Sequence, residues 1–406
     1  MVNDGSAAKP WYRSKPPAQI AQSALIQITR KKDSGCSSCV DAYIELARKN
    51  GATELEINSA LGLMEKTEVE MTKALPKPRV LSGIQASGRL HIGNYIGAVS
   101  LWAENQAQYE NFLFVADLHA LTVPESVDPK ILRERVEEVF ALYLACGIDP
   151  DQSTLFVQSE VPQHAELAWL LTCATPVSWL ERATQYKIKA SSDNASAGLL
   201  CYPSLQAADI LLYDADAVPV GDDQRQHVEI ARSIGRRFNS LFGEILKIPE
   251  VLVRESGSRI MGLDDATAKM SKSTAEKQSG HAIGLLDTPS QARKKIMRAQ
   301  TDSGSAVDFS LELSPGVENL LVIHEALTGS HRDQSVAAFD GVQYGNLKKQ
   351  VAEVVTETLE GIQRSYKEIV DDRTRLGKLL TLGSERARQA AVIKLAQCYE
   401  AVGLRR

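Results

Sequence analysis

The chain has 406 residues, of which 44% are hydrophobic and 24% are charged, and its formal net charge is −5 at pH 7. This length predicts two domains plus a small additional piece, and the apolar share is sufficient for an ordinary core. No run of about 18 consecutive apolar residues occurs, which argues against a membrane-spanning helix. The negative charge argues against a generally basic nucleic-acid binder, but a local basic patch can still contact RNA.

The cysteine pattern bears on redox state and on metal binding. The sequence has six cysteines, and only Cys36 and Cys39 stand close together. This spacing favours free thiols in a reducing compartment over a disulfide framework. No second close pair completes a zinc site, so no metal bound by the protein alone is expected.

Residues 1–34 differ in composition from the rest of the chain. They contain three prolines, several basic residues and no sustained periodicity. This composition predicts a disordered tail. The tail has no apolar signal segment, so we expect a cytoplasmic protein, with an organellar transit peptide as the alternative.

Residues 35–77 predict a small helical hairpin followed by a linker. Apolar residues recur at helical spacing until Asn50-Gly51, and Thr53 can cap a second helix that ends near Lys66. The opening segment, Cys36-Ser37-Ser38-Cys39, resembles the Cys-x-x-Cys hairpin of AhpD-like proteins, which carry a histidine in the region of Tyr43. The segment is either a redox-active pair or a packing or docking element.

Residues 78–288 alternate between short apolar strands and helices. Strands are predicted at 79–84, 112–116 and 154–158, with helices at 94–108 and 130–145. This alternation indicates an α/β domain with a parallel, Rossmann-like sheet, whose ligands bind at the carboxyl ends of the strands. Gln85, Asp117 and Gln158 stand at such ends.

Residues 289–406 lack this alternation. Apolar residues recur at helical spacing from Val351 to Ile369, and a further helix is predicted over 387–401. The region is therefore predicted to form a helical domain.

A glycine-rich turn follows the first predicted strand. The segment reads Gly83-Ile84-Gln85-Ala86-Ser87-Gly88-Arg89-Leu90-His91-Ile92-Gly93-Asn94. Its glycines allow the backbone to approach a ligand closely, and the helix that follows presents free N–H groups to an anion. His91 can donate to a phosphate. The spacing differs from that of the dinucleotide-binding G-x-G-x-x-G motif.

A second candidate phosphate-binding segment lies far downstream at Lys269-Met270-Ser271-Lys272-Ser273. Two ammonium groups on flexible stems can follow a moving pyrophosphate as charge develops on it. An isolated pair of lysines at this spacing is more often a solvated basic loop. The presence of the glycine-rich turn in the same chain favours the phosphate-binding interpretation of this segment.

Together and in this order, the two motifs resemble those of class I aminoacyl-tRNA synthetases. The run His91-Ile92-Gly93-Asn94-Tyr95-Ile96-Gly97-Ala98 is similar to the tryptophanyl version of the first motif, and the resemblance covers about Pro78 to Arg406. It implies catalytic roles for His91, Asn94, Lys269, Ser271 and Lys272. It also implies an ATP site made of Gln85, Ala86, Ser87, Gly93, Asn94, Gly221, Asp222, Asp223, Ile260, Lys269, Met270, Ser271, Lys272 and Ser273.

Two further segments bear on an amino-acid pocket. A helix is predicted to start at Pro203-Ser204 and to carry Asp209 in an apolar context, where a carboxylate needs a partner. The family places an aspartate here that accepts from the indole N–H; the alternative is an aspartate paired within the core. The block Val218-Pro219-Val220-Gly221-Asp222-Asp223-Gln224 resembles the family's indole-pocket block. The implied tryptophan-binding residues are Leu81, Gln85, His119, Gln185, Tyr202, Gln206, Asp209, Val218 and Val220.

The sequence departs from the family pattern at three places. Gln206 stands where many bacterial relatives have methionine, and it produces a Tyr-x-x-x-Gln-x-x-Asp spacing that tyrosyl-tRNA synthetases also use. Leu81 replaces a frequent phenylalanine, and Thr274 replaces a frequent acidic residue. The Gln206 segment leaves the substrate open between tryptophan and tyrosine, whereas the valine-rich block favours tryptophan.

The resemblance implies a tryptophan–tRNA ligase that uses ATP with Mg²⁺ to activate L-tryptophan and then transfers it to tRNA(Trp). It further implies a homodimer without a membrane partner, in which residues 289–406 bind the anticodon. The alternatives are a tyrosyl-tRNA synthetase and a paralogue that binds tryptophan or tRNA without aminoacylation. The helical C-terminal region argues against a simpler nucleotidyltransferase.

Overall fold

The structure is a computed structural model in which the chain divides into two compact units, Met1–Pro78 and Arg79–Arg406. No helix in the described part of the chain is long and apolar enough to cross a membrane. The residues that the structure describes are 21, 24–25, 27–28, 37–61, 77–183, 186–187, 195–221, 224–253 and 259–405.

The first unit contains a helical hairpin of α1 (Ser37–Lys49) and α2 (Glu54–Ala60). The chain turns at Gly51, whose φ of +92° favours glycine. The Thr53 hydroxyl accepts from the Glu56 N–H at 3.2 Å, and the Glu56 carboxylate accepts from the Thr53 N–H at 2.7 Å. This reciprocal cap confirms the predicted start of the second helix.

Two expectations about this unit need correction. Cys39 is disulfide-bonded, whereas Cys146, Cys173, Cys201 and Cys398 are free thiols. The expectation of free thiols is therefore wrong at Cys39. It came from the wide separation of most cysteines in the sequence, whereas a disulfide requires only that two thiols lie close together in the fold.

The second correction concerns the predicted tail. Residues 21, 24 and 28 are helical and buried, and Ala24 and Ile28 share a small core with Ala47 and Ile57. The predicted disorder therefore does not extend over these positions. Residues 21, 24 and 28 recur at helical spacing, and burial of that stripe outweighs the polar composition around it.

The second unit is built on a five-stranded parallel sheet of order β3-β2-β1-β4-β5. The strands are β1 (Arg79–Gln85), β2 (Glu110–Ala116), β3 (Ser153–Val157), β4 (Ala217–Val220) and β5 (Glu250–Val253). The predicted α/β class with a parallel sheet is confirmed. The strand order reverses between β1 and β4, and open sheets of this kind bind ligands beyond the carboxyl ends of the strands at such a point.

Helices cover both faces of the sheet. A short helix, Ile92–Asn94, continues into a π-helical turn, Tyr95–Val99, directly after the glycine-rich segment. The remaining helices are α3 (Ser100–Asn105), α4 (Pro129–Ala145), α5 (Gln163–Ala174), α6 (Val177–Leu180), α7 (Ala197–Leu211), α8 (Arg225–Phe242), α9 (Lys272–Lys277), α10 (Pro289–Met297), α11 (Pro315–Thr328), α12 (Arg332–Phe339), α13 (Tyr344–Asp371) and α14 (Arg373–Ala401).

The sheet separates two apolar cores because successive side chains of a strand point to opposite faces. On β2, Leu113 and Val115 belong to one core, and Phe112 and Phe114 belong to the other. The first core also contains buried residues of α11 and α13, such as Leu320. Residue 289 therefore marks a change from mixed to helical structure and not a break between packing units.

Two helices differ from the prediction. Helix α7 begins at Ala197, where the Ser196 hydroxyl accepts from the Leu199 N–H at 3.0 Å, so the predicted start at Pro203 is wrong. Pro203 lies buried inside the helix, whose cap and apolar burial offset the lost backbone hydrogen bond. Helix α14 begins at Arg373, well before residue 387, and Gly383 lets it pack directly on the Leu155 carbonyl of β3.

Candidate active site

Asp209 is at the centre of a buried hydrogen-bond network. Helix α7 carries it, and only 1% of the residue is exposed. Its Oδ2 accepts from His119 Nε2 at 2.8 Å, and its Oδ1 accepts from Gln158 Nε2 at 2.7 Å and from His164 Nδ1 at 2.6 Å. The buried carboxylate thus has the partners that its burial demands.

The network keeps Asp209 ionised. Burial alone raises the pKa of this carboxyl, but hydrogen bonds from His119 and His164 bring the pKa well below its usual range. A carboxylate has about four acceptor positions, and the residues that the structure describes use three of them. Asp209 can therefore pair within the core and still accept one further donor.

Strands β1 and β4 and helix α7 supply most of the other residues implied for tryptophan. Leu81 and Val218 are buried in the same apolar core, and Val220 packs at its margin. The buried ring of Tyr202 meets His227 edge-on at 6.1 Å, and Gln206 is half-buried on the same helix. Gln185 lies outside the described residues.

Gln85 connects this pocket to the phosphate-binding motifs. It is the last residue of β1, and its side-chain Nε2 donates to the His119 carbonyl at 2.9 Å. Its own carbonyl accepts from Lys272 Nζ at 2.7 Å. A continuous set of contacts therefore runs from Asp209 through His119 and Gln85 to the second lysine of the lysine motif.

The glycine-rich turn and the lysine motif also touch directly. Gly88 has a φ of +66°, and a Cβ on it would lie 2.9 Å from the Lys272 Cβ. A Cβ on Gly93 would lie 3.1 Å from His91 Nδ1. The His91 N–H donates to the Asn94 carboxamide oxygen at 3.2 Å. Two motifs that are far apart in the chain therefore form one site, and glycine is needed where they meet.

The lysine motif has a buried anchor and an exposed end. Ile260 and Met270 are each 2% exposed and are joined by a backbone hydrogen bond of 3.0 Å, whereas Lys269 and Ser273 are exposed. Ser271 caps α9 by accepting from the Thr274 N–H at 3.3 Å. Thr274 therefore supports the start of this helix although relatives often have an acidic residue there.

His91 and Lys272 have different charge states at neutral pH. Burial, followed by the charges of Lys272, His281 and Lys269, lowers the pKa of His91 to about 3. Burial lowers the pKa of Lys272 to about 8. At neutral pH the imidazole of His91 is thus an uncharged hydrogen-bonding group, and the lysine is mainly cationic.

A cavity of about 590 Å³ opens beside these two residues. Its net charge is positive, which favours an anionic ligand. Besides the uncharged His91, its lining contains nine charged side chains, which are Arg89, Arg135, Asp264, Lys272, Glu276, Asp287, Lys294, Lys295 and Arg298.

Three of the remaining residues implied for ATP follow the carboxyl ends of strands β1 and β4. Ala86 is buried behind the glycine-rich turn, while Ser87 is exposed on it. Gly221 is exposed directly after β4. Asp222 and Asp223 lie outside the described residues.

Sequence reasoning missed several residues that the structure brings to the site. His164 and Tyr213 carry no motif, and only the fold places them behind Asp209. Gln158 was detectable as a strand-end residue but not as a partner of Asp209. His281 is fully buried, contacts Asp264 at 2.6 Å and lies 3.2 Å from the Lys269 carbonyl, so it supports the lysine motif from below.

Comparison with known proteins identifies the family. The family model for tRNA synthetases class I (W and Y) matches residues 73–360. The tryptophan–tRNA ligase of Synechocystis sp. is 45% identical over 335 residues, which are 81% of this chain and 98% of the relative. The chain belongs to the tryptophan–tRNA ligase family. The resemblance of the Gln206 segment to tyrosyl enzymes therefore does not decide the family of the chain.

Solved structures agree with this family assignment. Tryptophanyl-tRNA synthetase from Mycoplasma pneumoniae matches with a TM-score of 0.74 and 37% identity, over 81% of this chain and 98% of that one. The enzyme from Campylobacter jejuni, solved with ADP and tryptophan, matches with a TM-score of 0.68 and 36% identity, over 80% of this chain and all of that one. The class I synthetase fold of the ligase family is thus shared over about four fifths of this chain.

Proposed function

We propose that this chain activates L-tryptophan with ATP and transfers the tryptophanyl group to tRNA(Trp). The observation that carries the proposal is the contact path from the ionised, buried Asp209 through His119 and Gln85 to Lys272. It joins an acceptor suited to an indole N–H with cations suited to a polyphosphate. Family membership and the ADP and tryptophan bound to the Campylobacter jejuni enzyme support the same conclusion.

The amino-acid end selects the substrate. The free acceptor position on Asp209 receives the indole N–H, while Leu81, Val218 and Val220 provide apolar surface for the ring. A phenylalanine side chain leaves this buried acceptor unpaired, which costs far more than the loss of apolar contact. Gln85, His119, Tyr202 and Gln206 complete the pocket.

The residues at the phosphate end lower the activation barrier for formation of the adenylate. The tryptophan carboxylate attacks the α-phosphate of ATP, and pyrophosphate leaves, so no side-chain nucleophile is required. Lys269 and Lys272 stabilise the charge that develops on the leaving pyrophosphate. His91 and Asn94 hold phosphate oxygens as uncharged donors, and Ser271 keeps the lysine motif at the start of α9.

Mg²⁺ is proposed to arrive with the phosphates of ATP. No group of three or more His, Cys, Asp or Glu side chains that could hold a metal occurs within the described residues. Mg²⁺ in nucleotide sites keeps several waters and is held largely by substrate phosphates, so this residue set fits the ion in that form. When bound, the ion neutralises charge on the phosphates that the lysines also contact.

A homodimer is proposed from exposed apolar side chains on three elements that each contact helix α7. Trp169 on α5 is 67% exposed, Val177 on α6 is 58% exposed and Leu121 is 50% exposed. Large exposed apolar side chains of this kind are typical of protein interfaces. Sedimentation of the wild-type chain and of a Trp169→Glu variant tests the proposal: a dimer that the variant converts to monomer supports it, and a wild-type monomer contradicts it.

The helical region 289–406 is proposed to bind the anticodon of tRNA(Trp), and residues 78–288 to form the catalytic domain. We also propose a cytoplasmic location. An organellar location is the alternative, and it rests on basic residues before position 34 that lie outside the described residues. Imaging of the full chain fused to a fluorescent protein separates the two locations.

Amino-acid-dependent exchange of pyrophosphate into ATP tests the activity, with tryptophan and tyrosine assayed side by side. Exchange with tryptophan alone supports the proposal. Exchange with tyrosine alone assigns the pocket to a tyrosyl enzyme, and no exchange with either amino acid indicates a non-catalytic paralogue. Charging of tRNA(Trp) with labelled tryptophan then checks the second step.

A further inference from the structure

The two oxygens of Asp209 are held unevenly. Oδ1 accepts from two donors, Gln158 Nε2 at 2.7 Å and His164 Nδ1 at 2.6 Å. Among the residues that the structure describes, Oδ2 accepts from His119 Nε2 alone, at 2.8 Å. Each carboxylate oxygen has about two lone-pair positions. The protein therefore saturates Oδ1 and leaves its free position on Oδ2.

His164 is fixed in place on the core side of this carboxylate. It is fully buried on α5, whereas the His119 side chain is 16% exposed. Its ring lies between those of Phe114, Phe156 and Tyr213, with centroid distances of 5.9, 5.8 and 5.5 Å. Its second ring nitrogen, Nε2, lies 2.7 Å from the Tyr213 hydroxyl. The imidazole thus has a defined partner at each nitrogen and little room to rotate.

Asp209 and Tyr213 together determine which nitrogen of His164 carries the proton. An ionised carboxylate only accepts, so the Nδ1 that faces Asp209 must donate. Burial raises the pKa of the Tyr213 phenol well above its usual value, so the phenol keeps its proton near neutral pH. It can then donate to Nε2, and in a neutral imidazole this arrangement leaves the one ring proton on Nδ1. The partner at one nitrogen sets the tautomer at the other, as it does for histidines that bind metals.

We propose that His164 is a positioning residue, held in its Nδ1–H tautomer by Tyr213, that occupies Oδ1 of Asp209 and so presents Oδ2 to an N–H donor of the substrate. The inference rests on the proposed function, because it supposes that Asp209 receives the indole N–H. Neither residue touches the substrate. Together they determine how strongly the pocket prefers a side chain that donates over one of the same shape that does not.

The proposal predicts a change in pH dependence. The titratable groups that face Asp209 are His119, from the turn after β2, and His164, from α5; Tyr213 lies behind His164, and Gln158 is uncharged. Without the His164 donor, burial raises the Asp209 pKa with less opposition. A protonated Asp209 is a poorer acceptor, so the KM for tryptophan in such a variant should rise as the pH is lowered.

The test compares tryptophan with its benzothiophene analogue, in which sulfur replaces the indole N–H, in pyrophosphate exchange at several pH values. We expect His164→Leu to raise the tryptophan KM about 10- to 100-fold, with kcat little changed, and to reduce the preference over the analogue by a similar factor. His164→Asn keeps an uncharged donor near Oδ1, so it should restore most of the preference without the acid rise in KM. Tyr213→Phe should have a smaller effect, about 3- to 10-fold, because part of the imidazole keeps the correct tautomer.

A matched control separates positioning from general loss of packing. Tyr143→Phe also removes a buried phenol, whose O–H donates to the Phe114 carbonyl at 3.1 Å, but Tyr143 belongs to the opposite core. It should lower the melting temperature without changing the preference for tryptophan over the analogue.

The outcomes distinguish failure of the inference from failure of the proposed function. If the wild-type chain does not activate tryptophan, both fail. If it does, and both Tyr213→Phe and His164→Leu leave the preference for tryptophan over the analogue as unchanged as Tyr143→Phe does, the positioning role is overturned and the function stands. If His164→Leu does not fold, the role is decided by Tyr213→Phe alone: a preference equal to that of Tyr143→Phe overturns it.

Discussion

The two ends of the active site are built in opposite ways. At the amino-acid end, Asp209 is 1% exposed and accepts three hydrogen bonds of 2.6 to 2.8 Å. At the phosphate end, Lys269 is exposed, Lys272 is half-buried, and the backbone between the motifs depends on glycine at position 88. One end is a rigid buried network, and the other consists of cations on flexible stems.

The difference follows from what each end must recognise. A side chain that does not react stays in one place, so a fixed and desolvated acceptor discriminates best. A pyrophosphate that leaves changes both position and charge, so flexible cations that can follow it are better suited. Changes at the amino-acid end should therefore alter the KM for tryptophan, and changes at the phosphate end should alter kcat or the use of ATP.

The largest effect is expected for Asp209→Asn. The carboxamide presents an NH₂ group to donors that need an acceptor, and it leaves buried partners unpaired. We expect kcat/KM for tryptophan to fall about 10³-fold, mainly through KM, together with a lower melting temperature. Asp216→Asn, which breaks an ion pair with Lys247, is the matched control. An unchanged tryptophan KM in Asp209→Asn contradicts the role of Asp209.

Lys272→Ala should have the next largest effect, and this effect should be on kcat and not on the KM for tryptophan. Removing one preorganised positive group from a developing charge costs about 10²-fold in kcat, while the tryptophan KM stays close to that of the wild type. Pre-steady-state formation of the adenylate gives the rate directly. A large rise in the tryptophan KM, with kcat unchanged, would remove the distinction between the two ends.

The pH dependence of ATP use should report the same lysine. Burial lowers the pKa of Lys272 to about 8, and its protonated form is the active one, so kcat/KM for ATP should be full below that pH and lost above it. At one pH unit above the pKa, the fall should be about tenfold. In Lys272→Arg the guanidinium stays charged, so this alkaline limb should disappear whatever the residual rate. A limb that persists in the arginine variant assigns it to another group.

Gly88→Ala should have the smallest effect of the four. A Cβ would lie 2.9 Å from the Lys272 Cβ in a backbone with a φ of +66°, so the two motifs must separate. We expect kcat/KM for ATP to fall about fivefold, with the tryptophan KM preserved. Gly329→Ala provides the control, because φ there is +71° with no atom within 4 Å of the added Cβ. Equal losses of activity in the two variants would indicate strain alone.

Much of the fold was readable from local pattern, and the errors have identifiable causes. Strands β1 to β3 and the parallel sheet follow from buried apolar runs alternating with helices. The start of α7 was wrong because Pro203 suggested a helix start, whereas the Ser196 cap and apolar burial extend the helix past it. Helix α14 begins at Arg373 because the Asp372 carboxylate caps it by accepting from the Arg375 N–H at 2.9 Å. Its contact with β3 at Gly383 is one that local propensity does not reveal.

The sequence alone determined the identity of the motifs. The glycine-rich turn, the lysine motif and the Asp209 segment each combine residue types and spacing that the chemistry requires locally, so they can be recognised without coordinates. Their order along the chain was enough to indicate the family that the comparisons establish.

Only the tertiary structure decided how these motifs meet. Gln85 joins Lys272 to His119 because β1 ends between the lysine motif and the turn after β2. Likewise, Asp209 gains its partners from three different elements, and Tyr213 is placed behind His164. Contacts between residues distant in the chain depend on packing of the whole unit, and no local spacing encodes them. Short sequence segments therefore determine which chemical groups this protein carries, whereas the selectivity of its pocket depends on the packed fold.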